Sequence, residues 1–234
     1  MGFTVIIPAY NEEKNLPKII GALKKQVFKD FEIIVVDNNS KDSTLKVAKR
    51  LADMVYQCKE QGISPTRNYG AKKAKTEVIA FLDADTIPSK DWAKTINESF
   101  EDDPKLSVVT GLDLYEWDGL MKRAFLNFFA GLIFYYGKIL SFFGKPTIIA
   151  NNFAIKRKLF QRLGGFDKFI VEDAYFNRKL QKVKDVKCIC NRKMLIECSS
   201  RRFRKAGILN TYFLWFTASF KKIPIKKYKL QDES

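Results

Sequence analysis

The chain has 234 residues, 46% of them hydrophobic, and a formal net charge of +16 with no histidine. That length and apolar content suit one sizeable core and exclude a disordered chain, while the charge calls for an anionic partner: nucleic acid, an acidic membrane surface or a phosphorylated substrate. Without histidine, Ser-His-Asp triads, imidazole metal ligands and His acid–base catalysis are excluded, and proton transfer falls to Asp, Glu, Lys, Tyr or Cys.

A strand is predicted over residues 3–7, stopped by Pro8, after which Leu16, Ile19, Ile20, Leu23 and Val27 recur at helical spacing. A β-branched strand over 31–36 runs into Asp37-Asn38-Asn39-Ser40. Leu45, Val47, Ala48 and Leu51 mark a second helix, and 54–56 a short strand. Gly62 opens a loop into a helix ending near Ala74, and the apolar run 78–82 ends in Asp83-Ala84-Asp85. Strands alternating with helices predict an α/β fold, a Rossmann-like, mostly parallel sheet flanked by helices. Ligands of such sheets bind at the carboxyl ends of the strands, and 8–12, 37–40 and 83–85 all fall at such ends. Acids at i and i+2 on a strand end aim to one side, where Asp83 and Asp85 can form a hard oxygen site for Mg²⁺ or Mn²⁺ and, through it, a diphosphate. A polar turn is the plainer alternative. No G-x-G-x-x-G follows the first strand and no G-x-x-x-x-G-K-[ST] occurs, which sets aside a dinucleotide-binding domain and a P-loop.

The four cysteines, Cys58, Cys188, Cys190 and Cys198, read as small buried thiols rather than half of a metal site. Pro8, Glu12 and Glu13 interrupt any apolar segment at the N-terminus, so no signal peptide and a cytoplasmic location are expected.

Residues 119–166 hold no acid, and within them 124–143 is almost wholly apolar and rich in Phe. The length is near that of a spanning helix, but a single crossing there would part Asp83 and Asp85 from anything beyond it. Arg123, Asn127, Lys138, Ser141 and Lys145 fall on a narrow helical stripe, with Phe134 intruding and Lys122 off it. An amphipathic helix or helix pair lying against lipid is expected, with a core helix as the alternative. Further on, Arg201, Arg202, Arg204 and Lys205 precede an apolar stretch over 208–220, and Lys221, Lys222, Lys226, Lys227 and Lys229 follow it. Aromatics bracketed by cations suit an anionic bilayer; a domain-closing helix is the alternative. Arg201, Arg202 and Arg204 are candidates to bind the phosphate of a lipid-linked acceptor or donor.

Six segments stand in a telling order: Pro8-Ala9-Tyr10-Asn11-Glu12-Glu13; Asp37-Asn38-Asn39-Ser40 with Asp42-Ser43-Thr44; Gly62 with Arg67-Asn68-Tyr69-Gly70; Asp83-Ala84-Asp85; Gly164-Gly165-Phe166-Asp167; and Glu172-Asp173. Over roughly residues 3–200 the chain resembles the family 2 glycosyltransferases of the GT-A fold. The resemblance implies an inverting transferase dependent on a nucleotide-sugar. In it, Pro8, Ala9, Tyr10, Glu12, Asp37 and Asn39 hold the nucleoside and Arg67 lies beside the nucleotide. Asp83, Ala84 and Asp85 bind the donor through Mn²⁺ or Mg²⁺ held by the two acids, Asp173 is the base, and Glu172 is a phosphate or acceptor candidate. The Q-x-x-R-W motif of processive synthases is absent, so one sugar per encounter is expected.

Plainer readings stand beside these. Tyr10 offers a face for a base to stack on or a core ring. Asp37 serves a base or ribose, or caps a helix. Arg67 suits bidentate contact with a diphosphate or solvates a loop, and Glu172 and Asp173 favour a helix N-terminus in any case.

The expected organisation is a catalytic domain over 1–200, with a nucleotide-sugar half (1–112), an acceptor half (113–200) containing an apolar helical insert (119–147), and a basic aromatic tail over 201–234. Expected partners are a UDP- or GDP-sugar, a lipid-linked acceptor and the anionic inner face of the cell membrane, with no nucleic acid. Competing readings are a nucleic-acid or anionic-membrane binding protein without catalysis, and a nucleotidyltransferase, which should carry a Gly-rich basic loop after its first strand. The sugar, the base and the acceptor are left open.

Overall fold

The computed structural model describes residues 2–169 and 171–220; Lys221 to Lys229 of the basic tail lie outside the described residues. The strands are β1 (Phe3–Ala9), β2 (Phe31–Asp37), β3 (Met54–Gln57), β4 (Val78–Leu82), β5 (Thr86–Pro88), β6 (Leu106–Tyr115), β7 (Asn152–Lys156) and β8 (Lys187–Cys198). The helices are α1 (Leu16–Lys24), α2 (Thr44–Leu51), α3 (Ile63–Lys73), α4 (Trp92–Asp102), α5 (Leu120–Phe142), α6 (Arg157–Arg162), α7 (Glu172–Leu180), α8 (Arg201–Ala206) and α9 (Ile208–Phe220).

All eight strands form one sheet in the order β3-β2-β1-β4-β7-β6-β8-β5. The first four run parallel. Then β7 enters antiparallel between β4 and β6, β6 and β8 pair parallel, and β5 closes the edge antiparallel to β8. The parallel half was legible as alternating apolar strands and helices. The antiparallel insertion is not a local property, because β7 reaches β4 from 74 residues downstream through the Val78–Lys156 to Leu82–Asn152 register.

Side-chain alternation along buried strands gives each face its own core. Val5, Ile7, Val35 and Ala80 pack with Leu16, Ile19 and Leu23 of α1 and Trp92 and Ile96 of α4. Ile6, Ile34, Val36, Ile79 and Phe81 pack on the other face with Ala71 of α3, Phe160 of α6 and Phe176 of α7. Helix α1 stops at Lys24, short of Val27, which is exposed. Gln26 is the cause: buried, it donates to Ser89 O (2.7 Å) and accepts from Ala93 N (2.9 Å), pinning the chain to the start of α4.

Helix α5 lies against β6 and β8, and of its predicted polar stripe Asn127 and Ser141 turn toward the sheet while Arg123, Lys138 and Lys145 are exposed. Asn127 accepts from Tyr115 N (2.7 Å), Ser141 faces Cys190, Arg123 reaches Glu197, and the intruding Phe134 is buried with Leu126, Ala130 and Gly137. Phe125, Phe128, Leu132, Ile133, Tyr136 and Ile139 face outward. The stripe is thus divided: its uncharged members meet backbone and polar groups of the sheet, and its three cations meet water. Helix α9 packs Tyr212 against Phe129 and Phe203. All four cysteines are free thiols.

The tightest backbone approach is at Gly111 on β6. A Cβ there would stand 1.9 Å from Met194 O on β8 and 2.4 Å from Asn152 Nδ2 on β7. Gly111→Ala should therefore destabilise the fold by about 1–3 kcal/mol through overpacking, read as a lowered urea midpoint.

Candidate active site

The loops after β1 and β2 are sewn together before any ligand arrives. Asn11 N donates to Ser40 Oγ (3.0 Å), Lys41 N to Asn11 Oδ1 (2.8 Å), Glu12 N to Thr44 Oγ1 (2.7 Å) and Ser43 N to Glu13 Oε2 (2.9 Å). Asn11 and Asn39 adopt left-handed backbone, φ 54° and 59°, a conformation that short amide side chains tolerate. Asp42 rather than Asp37 caps α2, accepting from Thr44 N (2.9 Å). Asp37, at the very end of β2, is 1% exposed, and its Oδ1 has no hydrogen-bond partner among the described residues. A buried carboxylate oxygen left unpaired is rare enough to call for a ligand. Pro8 and Ala9 are buried beside it, and Tyr10 is half-buried at the end of β1.

Asn38 is a site-building residue that the sequence reading passed over. Its Nδ2 donates to Cys58 O (2.9 Å) and Glu60 O (2.8 Å), and its Oδ1 accepts from Gly62 N (2.8 Å). It thereby shapes the loop that leads into α3, while Asn39 is exposed and donates to Lys59 O.

Arg67 projects from α3 into the centre. It is 1% exposed; its Nη2 meets Asp83 Oδ1 at 2.5 Å and its Nη1 meets Glu172 Oε1. One guanidinium thus joins the acid after β4 to the first turn of α7, where Asp173 is the next residue. Asn68, beside it, clamps the Gly-Gly-Phe turn by donating to Phe166 O (2.8 Å) and accepting from Phe166 N (2.9 Å). Gly165 (φ 66°) passes so close to that amide that a Cβ would stand 2.4 Å from Asn68 Oδ1. The Arg-Asn pair and the Gly-Gly-Phe turn, 98 residues apart, are one structural unit. Glu172, a candidate for phosphate or acceptor, has its carboxylate engaged by Arg67.

Arg201 closes the cleft from the other side. At the start of α8, its Nη2 donates to Glu12 Oε1 (2.8 Å) and lies 3.5 Å from Asp85 Oδ2. Arg202 is exposed, with its charge felt at Asp85, and Arg204 pairs with Asp118 (2.7 Å) while lying over the Trp117 ring.

Three carboxyls here are lifted from the ordinary range. Burial, then the neighbouring Asp83, pushes Asp85 up to about 6, against the pull of Arg201. Burial, then Glu172, lifts Asp173 to about 6, opposed by the Ala174 N–H and Arg67. Asp113 on β6, which the sequence reading did not single out, is lifted by burial to about 7; amide hydrogen bonds from Asn152 and Asn151 oppose the shift, and Asp83 and Asp173 add to it. Its only sequence signal is a lone acid in an apolar strand.

Asp83 and Asp85 fit a hard divalent cation. They are oxygen donors two residues apart in a partly buried site, where burial and then the charge of Asp83 lift Asp85, a cost that a bound cation would relieve. Among the described residues no group of three or more Cys, Asp or Glu side chains is arranged to hold a metal, so the remaining ligands would be water or substrate oxygens. Arg67→Met should leave Asp83 and Glu172 without their buried cation and cost about 3–5 kcal/mol of stability, with Arg67→Lys intermediate; urea unfolding monitored by circular dichroism reads both.

Residues 4–164 match the family model described as glycosyl transferase family 2. Among curated relatives, glycosyltransferase AglE of Haloferax volcanii is 33% identical over 97 residues, 38% of this chain and 32% of that protein. The O-antigen chain rhamnosyltransferase RfbN of Salmonella typhimurium is 29% identical over 192 residues, 77% of this chain and 61% of that one. The chain therefore spans less than two thirds of the length of either relative. The fold is shared with mannosyltransferase PcManGT from Pyrobaculum calidifontis, solved with GDP-Man and Mn²⁺ (TM-score 0.63, 21% identity, covering 83% of this chain and 56% of that one). It is shared too with Staphylococcus aureus TarS 1-349 in complex with UDP-GlcNAc (TM-score 0.63, 23% identity, 86% and 59%). The match over residues 4–164 covers more than half of the chain and takes in the loops after β1, β2 and β4, and on it the chain belongs to glycosyl transferase family 2.

Proposed function

We propose that the protein is an inverting glycosyltransferase that moves one sugar from a UDP- or GDP-sugar to a lipid-linked acceptor at a membrane surface, with Asp173 as the base. The observation that carries this reading is the Arg67 bridge, which holds Asp83 and Glu172 within reach of one buried guanidinium. Strand-end acids suited to a diphosphate and a proton acceptor suited to a hydroxyl thereby share a cleft. Related solved structures bound to UDP-GlcNAc and to GDP-Man with Mn²⁺ support the donor class and the cation.

Asp37, with its unpartnered Oδ1, accepts a hydrogen from the nucleoside, and Tyr10 offers its ring beside it. Asp83 and Asp85 would hold Mn²⁺ or Mg²⁺, which when bound neutralises diphosphate charge. Asp173 takes the proton of the acceptor hydroxyl. The hydroxyl oxygen bonds to the anomeric carbon as that carbon's bond to the diphosphate oxygen breaks, and the diphosphate leaves with the electron pair. One displacement inverts the anomeric centre. Arg201, held at the cleft by Glu12 and Asp85, offers a guanidinium suited to phosphate oxygens.

The membrane part of the reading rests on α5. It is long and apolar enough to cross a bilayer by length and composition, yet its inner side is bonded to β6 and β8. A helix docked through Leu126, Asn127, Ala130 and Phe134 and presenting Phe, Leu, Ile and Tyr outward together with Lys138, on a chain of net charge +16, suits the interface of an anionic bilayer.

Three outcomes are expected. Asp173→Asn keeps nucleotide-sugar affinity and loses about 10²–10⁴-fold in turnover; wild-type turnover in that variant removes Asp173 from the role. Because Asp173 is lifted to about 6 and acts when ionised, kcat rises with pH to a plateau through about pH 6, and this limb vanishes in Asp173→Asn. The full chain sediments with phosphatidylglycerol vesicles at low salt, and Phe128→Glu with Ile139→Glu abolishes sedimentation while leaving UDP-sugar binding intact; equal sedimentation of both proteins would sink the membrane reading.

A further inference from the structure

Of the acids around the cleft, Asp113 has no part in the mechanism above. It is 4% exposed, and no cation pairs with it among the described residues. Burying a carboxylate without a cation is costly, so the position calls for a reason beyond packing.

Two amides bond to it, Asn152 and Asn151, and the needs of Asn152 do not supply one. Asn152 Nδ2 lies 3.0 Å from Asp113 Oδ1, but also 3.0 Å from Met194 O and 3.3 Å from Leu112 O. An amide group has two hydrogens, and the two backbone carbonyls suffice to use them. The Asn152 Oδ1 accepts from Trp92 Nε1 (3.0 Å). Asn152 would thus be satisfied with a neutral residue at 113. What it does instead is hold one oxygen of Asp113 in place from below, on the rigid junction of β6, β7 and β8.

The placement is informative. Asn152 stands opposite Leu82, the residue before Asp83, in the β4–β7 register, so Asp113 sits two strands from the diphosphate-binding acids. Both Asp83 and Asp173 bear on its charge. A sugar whose anomeric carbon lies between the leaving diphosphate and the base has its ring hydroxyls in that neighbourhood. A carboxylate that accepts from two amides, Asn152 and Asn151, has about four lone-pair sites and keeps acceptor capacity for a hydroxyl.

We propose that Asp113 recognises the transferred sugar, accepting a hydrogen bond from one ring hydroxyl of the donor hexose, and so helps choose which nucleotide-sugar is used. This rests on the glycosyl-transfer reading above and adds a specificity residue to it.

The test compares Kd for UDP, UDP-glucose, UDP-GlcNAc, GDP and GDP-mannose, each with Mn²⁺, in the wild-type chain and in Asp113→Asn. Nucleoside diphosphate affinity should stay within about twofold, while the extra affinity contributed by the sugar falls roughly tenfold, the difference between a charge-assisted and a neutral hydrogen bond. Monodeoxy donors probe the wild-type chain without any mutation. One deoxy position should cost the wild type roughly tenfold and cost Asp113→Asn little. A sugar contribution unchanged by Asp113→Asn, an equal loss for diphosphate and sugar nucleotide, or no sensitive deoxy position in the wild type each overturns the assignment. A wild-type chain that binds none of the five nucleotides overturns the transferase reading itself, a result visible before any variant is made.

Discussion

A single buried cation organises this cleft. Arg67 is almost wholly shut off from water and spends its fork on Asp83 and Glu172, acids that arrive from the end of β4 and from α7. A guanidinium presents donors in a fixed plane and stays charged under all ordinary conditions, so the separation of its two partners is set by covalent geometry. The distance between the strand-end acids and the helix that carries Asp173 is accordingly insensitive to loop motion. Asn68 adds a second tie from the same helix to the Gly-Gly-Phe turn, which leads the chain back to α7.

Much of the rest follows from having to bring distant segments to that cation. The parallel half of the sheet delivers three loops at one edge, and their mutual hydrogen bonds use up most of the polar atoms that would otherwise compete for a ligand. At the end of β2, Asp37 Oδ1 is left without a partner among the described residues. The antiparallel β7 then brings Asn152 beside β4, and β8 carries the chain back past Asp85 to Arg201. Sheet order and site composition are in this sense one problem.

The sequence made the parallel half legible because each buried strand is a short apolar run ending in an acid or a proline, and each helix has a 3.6-residue apolar stripe. Boundaries moved by a residue or two where a side chain far away decided them, as Gln26 does at the end of α1. The cleft acids were legible as types at strand ends. Their partnerships were not: nothing local marks Arg67 as bonded to Glu172, 105 residues on. Asn38 and Asp113 were missed for a related reason, since a lone amide in a turn and a lone acid in a strand carry no period. On α5 the periodicity marks the differing side, but not that Asn127 and Ser141 on it meet the sheet while Arg123, Lys138 and Lys145 stay in water.

The absence of histidine has a last consequence. No side chain with an ordinary pKa near neutrality exists in this protein, while Asp85, Asp113 and Asp173 are lifted to between about 6 and 7. The three acids lifted into that interval stand around one cleft. Heats of ligand association measured in buffers of differing ionisation enthalpy would thus carry a signal from that cleft.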